Sequence, residues 1–188
     1  MRSRKSIVIL LSLLLVAALA VSGTFAFLNH KTTTVTNTFD PGRVSCKVNE
    51  TFNGTTKTDV SITNTGNVRA YIRAEIIVTW QNEKGEVYGV PVKSTDYVME
   101  YPENTAWFEK EDGYYYYPSI VNPGENTADL IKSCKLAEGV TAPAGYYLCV
   151  EILASAIQAD GVTVKENVEI PAVTDAWGVT VTDGVISK

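Results

Sequence analysis

Imidazole is nearly absent from this chain: its 188 residues include one histidine, His30. A serine or cysteine triad needs a fixed imidazole and a two-histidine zinc site needs a pair, so neither can be assembled here. No H-E-x-x-H, C-x-x-C or glycine-rich phosphate loop occurs either. The reading is therefore of a protein that is not an enzyme, with no metal and no cofactor. Basic residues are also scarce, 16 Lys and Arg against 21 Asp and Glu, which argues against nucleic acid or anionic lipid as a partner. Three cysteines, Cys46, Cys134 and Cys149, permit at most one internal disulfide. Beyond residue 26 no apolar run reaches the roughly 20 residues of a membrane helix, and no stretch holds a helical period for long.

What is present begins with Arg2, Arg4 and Lys5, an apolar run over residues 7–21, and Ser22-Gly23-Thr24-Phe25-Ala26. A charged start, an apolar middle and small residues before a cut between Ala26 and Phe27 describe a secretory signal peptide, residues 1–26. Cleavage removes three basic residues and no acidic ones, leaving 13 against 21, a net charge of −8. The product is expected outside the cell, touching a membrane only through an uncleaved signal peptide. Residues 27–42 read as a threonine-rich, extended segment that is strand-prone yet too polar for a core strand, either a disordered leader at the new terminus or a strand awaiting a partner. Residues 43–188 are then one domain, large enough for its own core.

The centre of that domain is residues 59–80. Val68, Ala70, Ile72, Ala74, Ile76, Val78 and Trp80 alternate with mostly polar Arg69, Tyr71, Arg73, Glu75 and Thr79, the period of a strand with one buried face. Such a strand would run ~40 Å at ~3.3 Å per residue, which predicts a bend or bulge inside it. Before it, Asn64-Thr65-Gly66-Asn67 supplies residues that tolerate positive φ. Val44, Cys46 and Val48 alternate ahead of Asn53-Gly54. Parity there selects a three-residue loop of Phe52, Asn53 and Gly54, with Cys46 opposite Val60, Val44 opposite Ile62, and Gly54 left-handed.

Further along, Asn82-Glu83-Lys84-Gly85, Glu111-Asp112-Gly113, Asn122-Pro123-Gly124-Glu125 and Asp160-Gly161 punctuate short strand candidates. The last of these are residues 162–170 and 178–181, with one helical turn expected over 171–177. Residues 146–159 are apolar on both faces in places, which suits a central strand covered on two sides or a strand bent across a corner. Many short strands with such punctuation indicate an all-β fold, a jelly-roll-like antiparallel β-sandwich of about nine or ten strands following the signal peptide helix.

Two features carry candidate chemistry. Trp107, Tyr114, Tyr115, Tyr116 and Tyr117 could form an aromatic platform for sugar rings, although only alternate tyrosines share a strand face. Glu109, Glu111 and Asp112 are close in sequence but read as a solvated hairpin tip. For the cysteines, Cys46 shares a face with Val44 and Val48 while Cys149 lies opposite Leu148 and Val150. A Cys46–Cys134 bridge is favoured, with three free thiols as the alternative.

Taken together, Ser22-Gly23-Thr24-Phe25-Ala26-Phe27, the Asn64-Thr65-Gly66-Asn67 turn leading into Ala70-Tyr71-Ile72-Arg73-Ala74, Asp112-Gly113 with its four tyrosines, Asn122-Pro123-Gly124-Glu125 and Ala176-Trp177-Gly178-Val179 resemble a known family. It is the Gram-positive exported proteins processed by the SipW-type signal peptidase, the group that includes the biofilm matrix protein TasA and camelysin. The resemblance implies a jelly roll at the cell surface or in the extracellular matrix, with that peptidase as a partner during export. It also implies fibre assembly with copies of itself or a related matrix subunit, the amino-terminal segment of one molecule adding a strand to the next. Thr33, Val35, Thr36 and Phe39 would lie in that donor strand, with Val35 and Phe39 filling pockets. Camelysin-like members are labelled metalloproteases, a label for which one histidine provides no ligand set. A monomeric adhesin or carbohydrate-binding module using the tyrosine hairpin is the alternative.

Overall fold

The computed structural model describes residues 41–187. They form an all-β antiparallel sandwich. One sheet has the order β1 (Cys46–Phe52), β2 (Thr56–Asn64), β7 (Ile131–Leu136), β4 (Tyr97–Glu100); the other has β5 (Phe108–Glu109), β6 (Tyr115–Tyr116), β3 (Ala70–Gln81), β8 (Tyr147–Gln158). Val60, Ile62, Leu130, Ile131 and Cys134 from the first layer meet Ile72, Ala74 and Val150 from the second, with Trp107 and Val121 completing the buried cluster. Two separate hairpins, β9 (Val162–Lys165) with β10 (Val168–Pro171) and β11 (Thr180–Thr182) with β12 (Val185–Ser187), flank the short helix α1 (Ala172–Trp177). The expected helical turn is thus α1, ended by Gly178 in the left-handed conformation, its N–H bonded to the Thr174 carbonyl.

The long alternating stretch is β3, and it carries no bulge. It pairs with β8 through twelve consecutive residues, from Ala70 opposite Gln158 to Gln81 opposite Tyr147, without a slip. A partner of equal length lets both strands twist together, so the bend expected from length alone is unnecessary. The buried face is the even one, as read. The odd face, however, is not solvated where Tyr71 and Arg73 stand. Tyr71 belongs to a second cluster with Tyr116, Val173, Val179 and Ile186, contributed largely by the carboxy-terminal segment folding back over the sheet.

The β1–β2 hairpin keeps the expected parity but moves by four residues. Val48 faces Ile62 and Cys46 faces Asn64, not Val60, and a four-residue loop separates Phe52 from Lys57. An even shift leaves the apolar faces aligned, so alternation alone cannot detect it. Compensation comes from a bulge: between the Asn49–Ser61 and Thr51–Thr58 pairs the second strand has one residue more, and Asp59 there has φ 56°. Gly54 is left-handed as expected, at φ 96°. Two further hairpins depart from the sequence reading. Residues 162–170 are two strands joined by Glu166 and Asn167, both at positive φ, and Asp183-Gly184 forms the same kind of two-residue turn.

The turn before β3 is held by Asn64, fully buried at 0% exposure. Its Nδ2 donates to the carbonyls of Val68 (2.8 Å) and Val121 (2.9 Å), and its Oδ1 accepts from the Gly66 N–H (2.9 Å). No residue of the turn takes positive φ. Gly66 is needed for closeness instead, because a Cβ there would stand 2.3 Å from the Arg43 carbonyl oxygen. Asn64 thus ties β2, the start of β3 and the segment carrying Val121 into one corner. Replacing it with alanine removes three hydrogen bonds from this corner, although the Val121 carbonyl and the Gly66 N–H keep their bonds to the Ala70 N–H and the Ser45 carbonyl, and Asn64→Ala is expected to lower unfolding free energy by about 1–3 kcal/mol in urea titration. A loss within 0.5 kcal/mol would contradict that role.

Candidate functional site

In an antiparallel strand, each residue's N–H and C=O point to the same side, and the side alternates along the chain. The Ala159 N–H bonds the Arg69 carbonyl, so odd positions at β8 face β3. Even positions therefore face away: Leu148, Val150, Ile152, Ala154 and Ala156 offer their backbone groups to the outer edge of the sheet. Among the described residues no strand covers that edge. From the described residues it receives one hydrogen bond, from Lys57 Nζ to the Val150 carbonyl. The same even residues direct their side chains between the sheets. Ile152, Ala154 and Ala156 pack on the core yet remain partly exposed.

The opposite border of this opening is β1. The Ser45 and Arg43 carbonyls accept bonds from the turn after β2, so odd positions face β2 and the backbone groups of Cys46 and Val48 face outward. Their side chains also pack against the core while only partly covered. Two edges that no strand pairs among the described residues, beside an incompletely covered apolar floor, have the chemistry to accept an added strand. At its Val150 end the opening widens into a groove of about 700 Å³ lined by Phe52, Leu136, Tyr146, Tyr147, Leu148 and Val150 among others. Phe52 stands 61% exposed at the rim.

The aromatic residues singled out in the sequence do not form a surface. Trp107 (5% exposed) and Tyr116 (0%) are buried, and Tyr114, Tyr115 and Tyr117 are partly so. Both faces of the hairpin are covered: Tyr115 and Tyr117 pack on the inter-sheet core, and Tyr114 and Tyr116 on the second cluster. Arg73 organises the latter side. Its guanidinium lies 4.0 Å from the Tyr114 ring centre and 4.8 Å from that of Trp177, and its Nη1 donates to the Tyr116 hydroxyl at 3.2 Å. Tyr116 in turn donates to Asp112 Oδ2 at 2.6 Å. Burial works to raise the Asp112 pKa. The Tyr116 bond, the Tyr114 N–H and the Lys110 and Arg73 charges outweigh it and hold the carboxyl below its usual range. Asp112 is thus a structural acceptor. Among the described residues no three or more His, Cys, Asp or Glu converge to hold a metal ion.

The Cys46–Cys134 bridge is absent, and all three cysteines are free thiols. Cys46 faces Asn64 on one side of β2, and Cys134 faces Lys57 on the other. Two strand spacings and seven residues of β2 separate them, ~10 Å across and ~23 Å along, where a disulfide needs Cα atoms within about 7 Å. Burial raises each thiol's pKa: alone at Cys46, against the Lys57 charge at Cys134, and reinforced by Glu151 at Cys149. A raised pKa means less thiolate at neutral pH. Alkylation of the folded protein is expected to be slow at pH 7 and to climb only above the usual thiol range near ~8.5, whereas the unfolded chain should titrate three thiols at once. Recovery of a single thiol after non-reducing denaturation would show a bridge instead.

Ala26, Phe27, His30, Thr33, Val35, Thr36 and Phe39 lie outside the described residues, so the signal cleavage site and the donor segment are not placed. The open β8 edge itself was not singled out in the sequence. Its one signal was the doubly apolar run over residues 146–159, which predicted cover on two sides and not a vacant flank. Among family models, curated proteins and solved structures, none matches this chain.

Proposed function

We propose that the mature chain is a secreted, non-enzymatic structural subunit of the cell surface or biofilm matrix, of the SipW-dependent, TasA- and camelysin-like kind. In this reading the fold is a jelly-roll relative, and the subunit assembles into fibres by lending residues 27–39 to the next copy. The observation that carries it is the outer edge of β8, paired with no strand among the described residues, above a half-covered apolar floor. A long edge of this kind is a template for another chain, and soluble proteins ordinarily blunt it. Here, among the described residues, only the Lys57 ammonium reaches it, and the same chain has a threonine-rich segment of strand propensity in which Val35 and Phe39 have the same parity. A head-to-tail contact in which one surface offers a strand and a different surface accepts it does not close on itself, so it propagates as a filament.

The adhesin reading has less support, because the tyrosines it would use are turned into the two cores. Electron microscopy of the chain cut after Ala26, with and without residues 27–39, tests the proposal. Filaments are expected from the mature chain and none from the shortened one. Filaments of equal number from both, or none from the mature chain under any assembly condition, would remove the donor-strand reading.

A further inference from the structure

We propose that Lys57 is a latch on the open edge, holding β8 closed to stray strands and released when the incoming segment seats Phe39 in the groove beside it. This rests on the fibre reading above. Lys57 belongs to β2, in the opposite sheet, with its side chain only 13% exposed; its Nζ donates to Glu50 Oε2 at 2.6 Å and to the Val150 carbonyl. The stem therefore crosses between the layers, and the ammonium occupies one of the acceptors that an added strand would use. A charged side chain directed at an edge is a common means of discouraging indiscriminate pairing. Glu50 gives the ammonium a second partner, so leaving Val150 does not strand a buried charge.

The occupant follows from length and register. An antiparallel strand with Phe39 opposite Val150 sets Val35 opposite Ala154 and Thr33 opposite Ala156, so that its odd side chains share the core-facing side of β8. Phe39 then arrives at the roughly 700 Å³ groove lined by Phe52, Leu136, Tyr146, Leu148 and Val150. The molecule's own residue 39 cannot take that place. Gly42 sits beside Gln158 and Val68, eight β8 residues from Val150 or ~26 Å, whereas three residues of chain reach ~11 Å at most. In this antiparallel register residue 39 therefore comes from a second copy. Charge agrees with this: residues 27–39 have Lys31 and no carboxylate, while the mature chain as a whole is acidic.

The test follows assembly of the mature chain by light scattering, for wild type, Lys57→Met and Lys57→Arg, with the lysine ammonium groups observed by nitrogen NMR in the unassembled protein. Methionine keeps the half-buried stem and removes the donor; arginine keeps a donor. The lag is expected to shorten about tenfold for Lys57→Met, the worth of one charge-assisted hydrogen bond, and to return toward wild type for Lys57→Arg. Slowed exchange of the Lys57 ammonium protons before assembly and its loss in fibres would agree. Wild-type fibres with an unchanged or longer Lys57→Met lag would overturn the latch and leave the fibre reading intact. If Lys57→Met unfolds, the ammonium exchange decides: no protection in the wild-type monomer overturns the latch. If wild type and both variants stay monomeric, the fibre reading and the latch fall together.

Discussion

The twelve-pair ladder between β3 and β8 is the constraint from which the rest of the molecule follows. Because it runs without a slip, parity is fixed along its whole length: even side chains of both strands enter the sandwich, and even backbone groups of β8 turn outward. The residues that build the floor of the core are therefore the ones that present the free edge. A single bulge in β8 would have passed both properties to the odd residues beyond it. The first sheet is held in matching register by the compensating bulge at Asp59, which lets β2 face β1 through Val48 and β7 through Val60 at the same time.

The two faces of the second sheet are finished differently. Inward, it meets the other layer. Outward, at the end bearing Tyr71, Arg73 and Tyr116, the segment from α1 to β12 folds over it and forms a second apolar cluster. There Arg73, held between Tyr114 and Trp177, supplies attraction of ~0.5–2 kcal/mol per ring and orders the Tyr116–Asp112 hydrogen bond. Lys110 adds a bond to the Gly178 carbonyl at 3.3 Å. This end of the sheet is locked, whereas Leu153, farther along the same outer face, is 52% exposed. Stability and openness are thus placed on different parts of one sheet.

Local chemistry made much of this legible in the sequence. Alternation located β3, and the turns at Gly85, Gly113 and Gly124 all take the positive φ that their residues suggested. What could not be read was anything set by non-local pairing. The four-residue register shift at the first hairpin preserves parity and leaves no trace in the pattern, and its bulge falls at Asp59, with neither glycine nor asparagine to mark it. The tyrosine run reads as half outward only if the outer face is bare, and its cover comes from residues some sixty positions later. The open edge depends on which strand lies beside β8, a property of strand order that no window of sequence contains. The disulfide failed for the same reason, since β2 lies between the strands bearing Cys46 and Cys134.

The central claim is that the outward N–H groups of β8 lack a strand partner in the isolated subunit and gain one from a neighbour in the assembly. Amide hydrogen exchange at single-residue resolution measures this directly, comparing the N–H groups of Val150, Ile152, Ala154 and Ala156 with those of the odd residues between them. In the monomer the odd amides should be protected and the even ones exchange freely, and in fibres both sets should be protected. Even amides already protected in the monomer, or still unprotected in fibres, would contradict the account.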